Sequence, residues 1–197
     1  MKKTDKQMRA GIEMRAADAQ DSAVLRIEGK AISFNSPTLI FRDEKGVEYW
    51  EEIDAHALDN TDTDDCCLRY NHMMGVMVLA RTRGGSLKLD KRSDGLYFEA
   101  ELFDTTAGRD CYELVRQEAL QCSFAFLWPP EGGYRYDADA HKRTITRIDR
   151  LIDLAVVDVP AYKDTFVQAR SIFELDGAEI ARLESQKRRR ELIARTF

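Results

Sequence analysis

The chain has 197 residues, with 30 basic against 35 acidic side chains and a net charge of −5. That length fits one domain with or without an appended segment, able to bury roughly 70% of its unfolded surface without disulfide staples. The acidic balance disfavours a general nucleic-acid binder. No apolar run approaches the ~20 residues that cross a bilayer, so neither nucleic acid nor a membrane is an expected partner.

Residues 1–22 are polar and mixed in charge, which predicts a frayed or partly helical lead-in. They have no apolar stretch of the kind a secretory signal needs. The four cysteines, Cys66, Cys67, Cys111 and Cys122, are therefore expected to be free thiols in a reducing compartment. None has zinc-ligand spacing, and no metal or cofactor is expected.

From residue 23 the pattern changes. Val24 to Phe34 alternates apolar and polar residues and reads as a strand. The stretch 47–53 reads as another, and Asp54 can cap a short helix over 55–59. Strands are expected over 68–73 and 76–82. Leu87–Asp90 and Leu96–Leu102 flank an Arg92–Gly95 turn and form a hairpin. Asp104 or Thr105 starts a helix with apolar positions at Ala107, Cys111, Leu114 and Val115. Cys122–Trp128 is a compact apolar strand, and 129–143 opens as a loop or variable hairpin. Thr144–Ile148 and the nearly all-apolar Leu151–Val159 are further strands, the last a central one. In residues 173–197, Ile180, Leu183, Leu192 and Ile193 with the basic run 187–190 predict an exposed amphipathic helix. The expectation is a mainly β body over 23–172, a closed or nearly closed antiparallel β-barrel with peripheral helices.

Only three histidines exist, His56, His72 and His141. His72 follows Leu68 and Tyr70 at period two, which puts all three on one strand face. A lone histidine is more often a satisfied interior or surface residue than a catalyst. Ser123 lies in Gln121–Trp128, where alternation puts Cys122, Phe124 and Phe126 on one face and Ser123, Ala125 and Leu127 on the other. Cys122 and Ser123 then cannot serve one site, and the small Ala125 leaves room beside Ser123. A buried serine can simply bond backbone, or it can be a nucleophile activated by an adjacent base. Asp153 sits in an apolar strand, where an unpaired carboxylate costs several kcal/mol. Its partner is either an arginine such as Arg147 or Arg150, or a histidine that it orients. Asp158 and Asp149 are rivals for that second role.

Seven stretches in order carry a resemblance: 29–37, Arg69-Tyr-Asn-His72, 79–89, 94–102, 104–110, Cys122-Ser-Phe-Ala-Phe126 and Val156–Tyr162. Together they resemble the prohead proteases of tailed bacteriophages, the capsid-maturation serine proteases. The resemblance implies a β-barrel of the herpesvirus-assemblin type. It implies His72 as general base, Ser123 as nucleophile and Asp153 as third member, where many relatives have glutamate. Cys122 replaces a usual methionine and Ala125 a common glycine, and the 129–143 loop departs from the pattern. The substrates implied are scaffold or delta segments of the phage major capsid protein, and the enzyme itself. The setting implied is the procapsid in the bacterial cytoplasm. Self-association follows by analogy with dimeric herpesvirus relatives. Rival readings are a non-catalytic assembly module that binds capsid protein, a cysteine protease using Cys122, and an esterase, whose G-x-S-x-G elbow is absent around Ser123.

Overall fold

The computed structural model describes residues 6–10, 13–16, 24–74 and 78–158, the first two stretches as backbone. The expected C-terminal helix, the turn at Pro160 and the start of the 76–82 strand lie outside the described residues. The described chain is mainly β, with thirteen strands and one α-helix. The strands are β1 (Lys6–Ala10), β2 (Glu13–Ala16), β3 (Arg26–Ser33), β4 (Thr38–Arg42), β5 (Glu48–Ile53), β6 (Cys67–Tyr70), β7 (Ala80–Arg81), β8 (Leu87–Arg92), β9 (Gly95–Glu101), β10 (Gln121–Leu127), β11 (Tyr134–Asp137), β12 (Lys142–Ile145) and β13 (Arg150–Val157). The helix α1 spans Thr106–Arg116.

The strands form three sheets, ordered β1-β10-β13-β6-β7, β11-β12-β5-β4 and β2-β3-β9-β8. The arrangement departs from a closed, all-antiparallel barrel in two ways. Among the described residues no ring of strands closes, and two pairings, β13 with β6 and β12 with β5, are parallel. A parallel pair needs a long crossover, which short-range alternation does not reveal. Register shifts in β3, β4 and at Ala125/Phe126 mark bulges, which bend the strands and increase their local twist.

The N-terminal stretch also departs from expectation. Two short strands replace the frayed or helical lead-in: β1 pairs with the outer edge of β10, and β2 pairs with β3. Edge pairing satisfies backbone groups and so can order a polar segment that has little to bury. Residues 55–60 form turns rather than a helix, with the Asp54 carboxylate accepting from the His56 amide at 2.8 Å. The helix α1 starts at Thr105, whose hydroxyl accepts from the Gly108 amide at 3.1 Å. It buries Cys111 and Val115 and leaves Leu114 exposed.

One apolar cluster holds the sheets together. It includes Ile27, Leu68, Phe98, Val115, Cys122, Phe124, Phe126, Leu151, Leu154 and Val156. The other face of the five-stranded sheet is also buried, but Cys67, Ala125 and Ala155 there stand outside that cluster. The central sheet is therefore covered on both sides, and its second face carries the polar residues that matter for chemistry.

Candidate active site

Pairing register brings the site together before any side chain is considered. On β10 and β13, Ser123 pairs with Ala155 and Ala125 with Asp153. Paired residues share a face, so Ser123 and Asp153 project from the same side, one step apart on neighbouring strands. The bulge follows at once, between Ala125 and Phe126. It shifts the phase so that Leu151, two residues from Asp153, joins Phe126 in the core.

His72 reaches this face by a route that strand alternation does not describe. β6 ends at Tyr70. Asn71 and His72 then adopt left-handed conformations with φ of 48° and 55°. Had the strand continued, His72 would have shared the core face of Leu68 and Tyr70. The left-handed pair turns it back over the opposite face. Asparagine and histidine are among the few non-glycine residues that tolerate this region. The turn is held by Asn71: its amide donates to the Val156 carbonyl at 2.9 Å, and its side-chain Nδ2 donates to Asp158 Oδ1 at 2.8 Å. The Asp158 amide donates back to Asn71 Oδ1 at 3.2 Å.

The result is a hydrogen-bonded row. His72 Nδ1 meets Asp153 Oδ1, and His72 Nε2 lies 2.7 Å from Ser123 Oγ. Ser123 and Asp153 are fully buried, and His72 is nearly so. A carboxylate can only accept, so Nδ1 carries the proton. In the neutral ring Nε2 is then free to accept from the serine hydroxyl. This is the arrangement in which a hydroxyl can be activated by an adjacent base that a third group orients.

The alternatives fall to other partners. Asp158 accepts from Asn71 and from the Tyr70 hydroxyl at 3.1 Å. Burial, then this bond, raises the Tyr70 hydroxyl above its ordinary range. Asp149 uses its backbone to bond Leu127 and Asp62. Arg147 donates to the Glu131 carbonyl at 3.3 Å, and Arg150 faces Asp62 at 3.2 Å. Neither is the arginine beside Asp153: Arg69 is, with its Nε 4.0 Å from Asp153 Oδ2. His56 bonds Asp59, and His141 packs against Tyr49. Cys122 lies in the core cluster, on the face opposite Ser123, and burial pushes its thiol up to about 12. All four cysteines are free and buried.

Two residues of the Arg69-Tyr-Asn-His72 stretch gain a place at the site from the structure alone. Asn71 had a usable signal, the tendency of asparagine to sit where a strand must turn. Arg69 had none, because its partner is far away along the chain.

Among the described residues, no group of three or more histidine, cysteine or acidic side chains is placed to hold a metal, and no helix is long and apolar enough to cross a membrane. The sequence profile of one family, described as caudovirus prohead serine protease, matches residues 10–177. No curated protein and no solved structure matches the chain.

Proposed function

This chain belongs to the caudovirus prohead serine protease family, and on that premise we propose that it is a serine endopeptidase acting through Ser123, His72 and Asp153. Its substrates are scaffold or delta segments of the phage major capsid protein, and itself, inside the procapsid. Family membership implies a serine peptidase of capsid maturation; the named residues, substrates and self-cleavage are this reading's own additions. So are an assemblin-type architecture, self-association, and a catalytic body over 23–172 flanked by segments 1–22 and 173–197. The observation that supports it most is the continuous bonding from Asp153 through His72 to Ser123 Oγ.

In this mechanism Ser123 Oγ attacks the scissile carbonyl while His72 Nε2 takes the hydroxyl proton. His72 returns that proton to the leaving amine, and the acyl-serine remains. Water then enters, gives its proton to the same nitrogen and releases the new carboxylate. Asp153 keeps the Nδ1–H tautomer and stabilises the imidazolium formed in each half.

The test is co-expression with the capsid protein of the same phage, followed by intact-mass measurement. The wild type should yield truncated capsid protein, and Ser123→Ala should leave it full length. Processing that survives Ser123→Ala would sink the protease reading and favour a non-catalytic assembly module.

A further inference from the structure

Burying a carboxylate without compensation is costly, and Asp153 is fully buried. His72 engages only one of its oxygens, Oδ1. The other, Oδ2, faces Arg69 on β6. The register explains how Arg69 arrives there. Asp153 pairs with Cys67 and Ala155 with Arg69 across the parallel β13–β6 pair. Arg69, Ala155 and Ser123 thus form one row across three strands, and the small Ala155 keeps the row open between the two functional side chains.

Two features mark Arg69. Its side chain is only 14% exposed, and its buried Nε has no hydrogen-bond partner among the described residues. It approaches Asp153 Oδ2 at 4.0 Å, too far for a hydrogen bond but within ion-pair range. A bonded guanidinium would compete with His72 for the orientation of the carboxylate. One held just out of bonding range supplies positive charge without taking the bonding position that His72 holds. Among the described side chains, Ser123 on β10, Cys67 across from Asp153, and Cys66 also stand here, the Cys66 thiol pushed up by burial and then by the Asp153 charge. Asp158 is occupied by Asn71 and Tyr70.

We propose that Arg69 is a positioning residue of the site, a fixed positive charge that keeps Asp153 ionised and His72 in the neutral Nδ1–H form that can accept the Ser123 proton. The inference rests on the serine-protease reading above. Without Arg69, the Asp153–His72 pair holds a proton more tightly, because less of the negative charge is offset. The form that can activate Ser123 then appears only at higher pH.

The experiment is labelling by a fluorophosphonate probe, followed by intact mass from pH 5.5 to 9.5, on wild type, Arg69→Met, Arg69→Gln and Arg69→Lys. The wild type should be labelled at Ser123. Both neutral variants should react about tenfold more slowly near pH 7 and recover toward alkaline pH, their acid limb displaced upward by about one pH unit or more. Arg69→Lys should restore most of the wild-type profile. Neutral variants that overlay the wild type, or fall by one factor at every pH, overturn the proposal. If neither neutral variant folds, each is combined with Asp153→Asn. Recovery of folding supports charge pairing, and failure to recover overturns it. Absence of Ser123 labelling in the wild type instead overturns the protease reading itself.

Discussion

Two buried carboxylates among the described residues each face an arginine, and they are treated differently. Glu51 on β5 and Arg143 on β12 are parallel-strand partners, 4% and 0% exposed. Arg143 Nε donates to Glu51 Oε2 at 2.7 Å, a second guanidinium nitrogen reaches the same oxygen, and the head lies near the Trp128 and Tyr134 rings. Asp153 has its arginine at 4.0 Å, and a histidine takes the bonding position. In the first pair the arginine engages the carboxylate directly, and the pair ties two strands together. In the second the cation stands back, and the carboxylate can direct a neighbouring ring. Burial and charge are alike; what differs is who bonds the oxygen.

The largest expected effect separates the two by chemistry. Asp153→Asn should lower the fluorophosphonate labelling rate by up to about 10⁴-fold, as loss of the correct tautomer does in triad enzymes, while the far-ultraviolet circular dichroism stays native. Glu51→Gln should leave the labelling rate near wild type. Equal losses in the two variants would erase the distinction.

A second comparison separates them by stability. Arg143→Met leaves Glu51 buried without its cation and should cost about 3–5 kcal/mol in denaturant unfolding. The double variant Arg143→Met/Glu51→Leu should recover much of that cost. A single variant as stable as wild type would contradict the structural role given to this pair.

A smaller effect concerns the turn that delivers His72. Asn71→Ala must hold a left-handed conformation and loses the Asp158 bonds, which predicts a loss of about 1–2 kcal/mol and slower labelling. Asn71→Gly keeps the conformation and should retain more stability than alanine. A ranking with alanine above glycine would show that the turn is not under strain.

The smallest effect tests the opposite face of β10. Cys122→Ala should keep the labelling rate within about threefold of wild type, since the thiol belongs to the core rather than the site. In the native protein at pH 8, iodoacetamide should leave Cys111 and Cys122 unmodified, because burial raises both thiols to about 12 and hides them from reagent. Rapid native alkylation of Cys122 with loss of activity would revive the cysteine reading.

Local pattern carried much of this fold. The 87–101 hairpin, the helix with its Thr105 cap and the facing of Ser123 away from Cys122 are set by neighbours in sequence, through turn chemistry and strand alternation. β4 is hard to read from local pattern because Thr38–Arg42 is short and only weakly alternating, and β1 and β2 because the strands they pair with lie outside any short window of sequence. The same limit applied at the site. Motifs named His72, Ser123 and Asp153, but period-two reasoning put His72 on the wrong face, since Asn71 and His72 itself are left-handed.

Mainly β character, family membership and the residue types at the candidate site are thus legible in the chain alone. Those depend on local periodicity and on motifs that survive without coordinates. Which arginine stands by Asp153, which strands run parallel, and how a turn clamped by Asn71 and Asp158 carries His72 over to Ser123 emerge from long-range pairing. Each of those joins groups distant in the chain, and their free energy comes from contacts that no short window of sequence contains.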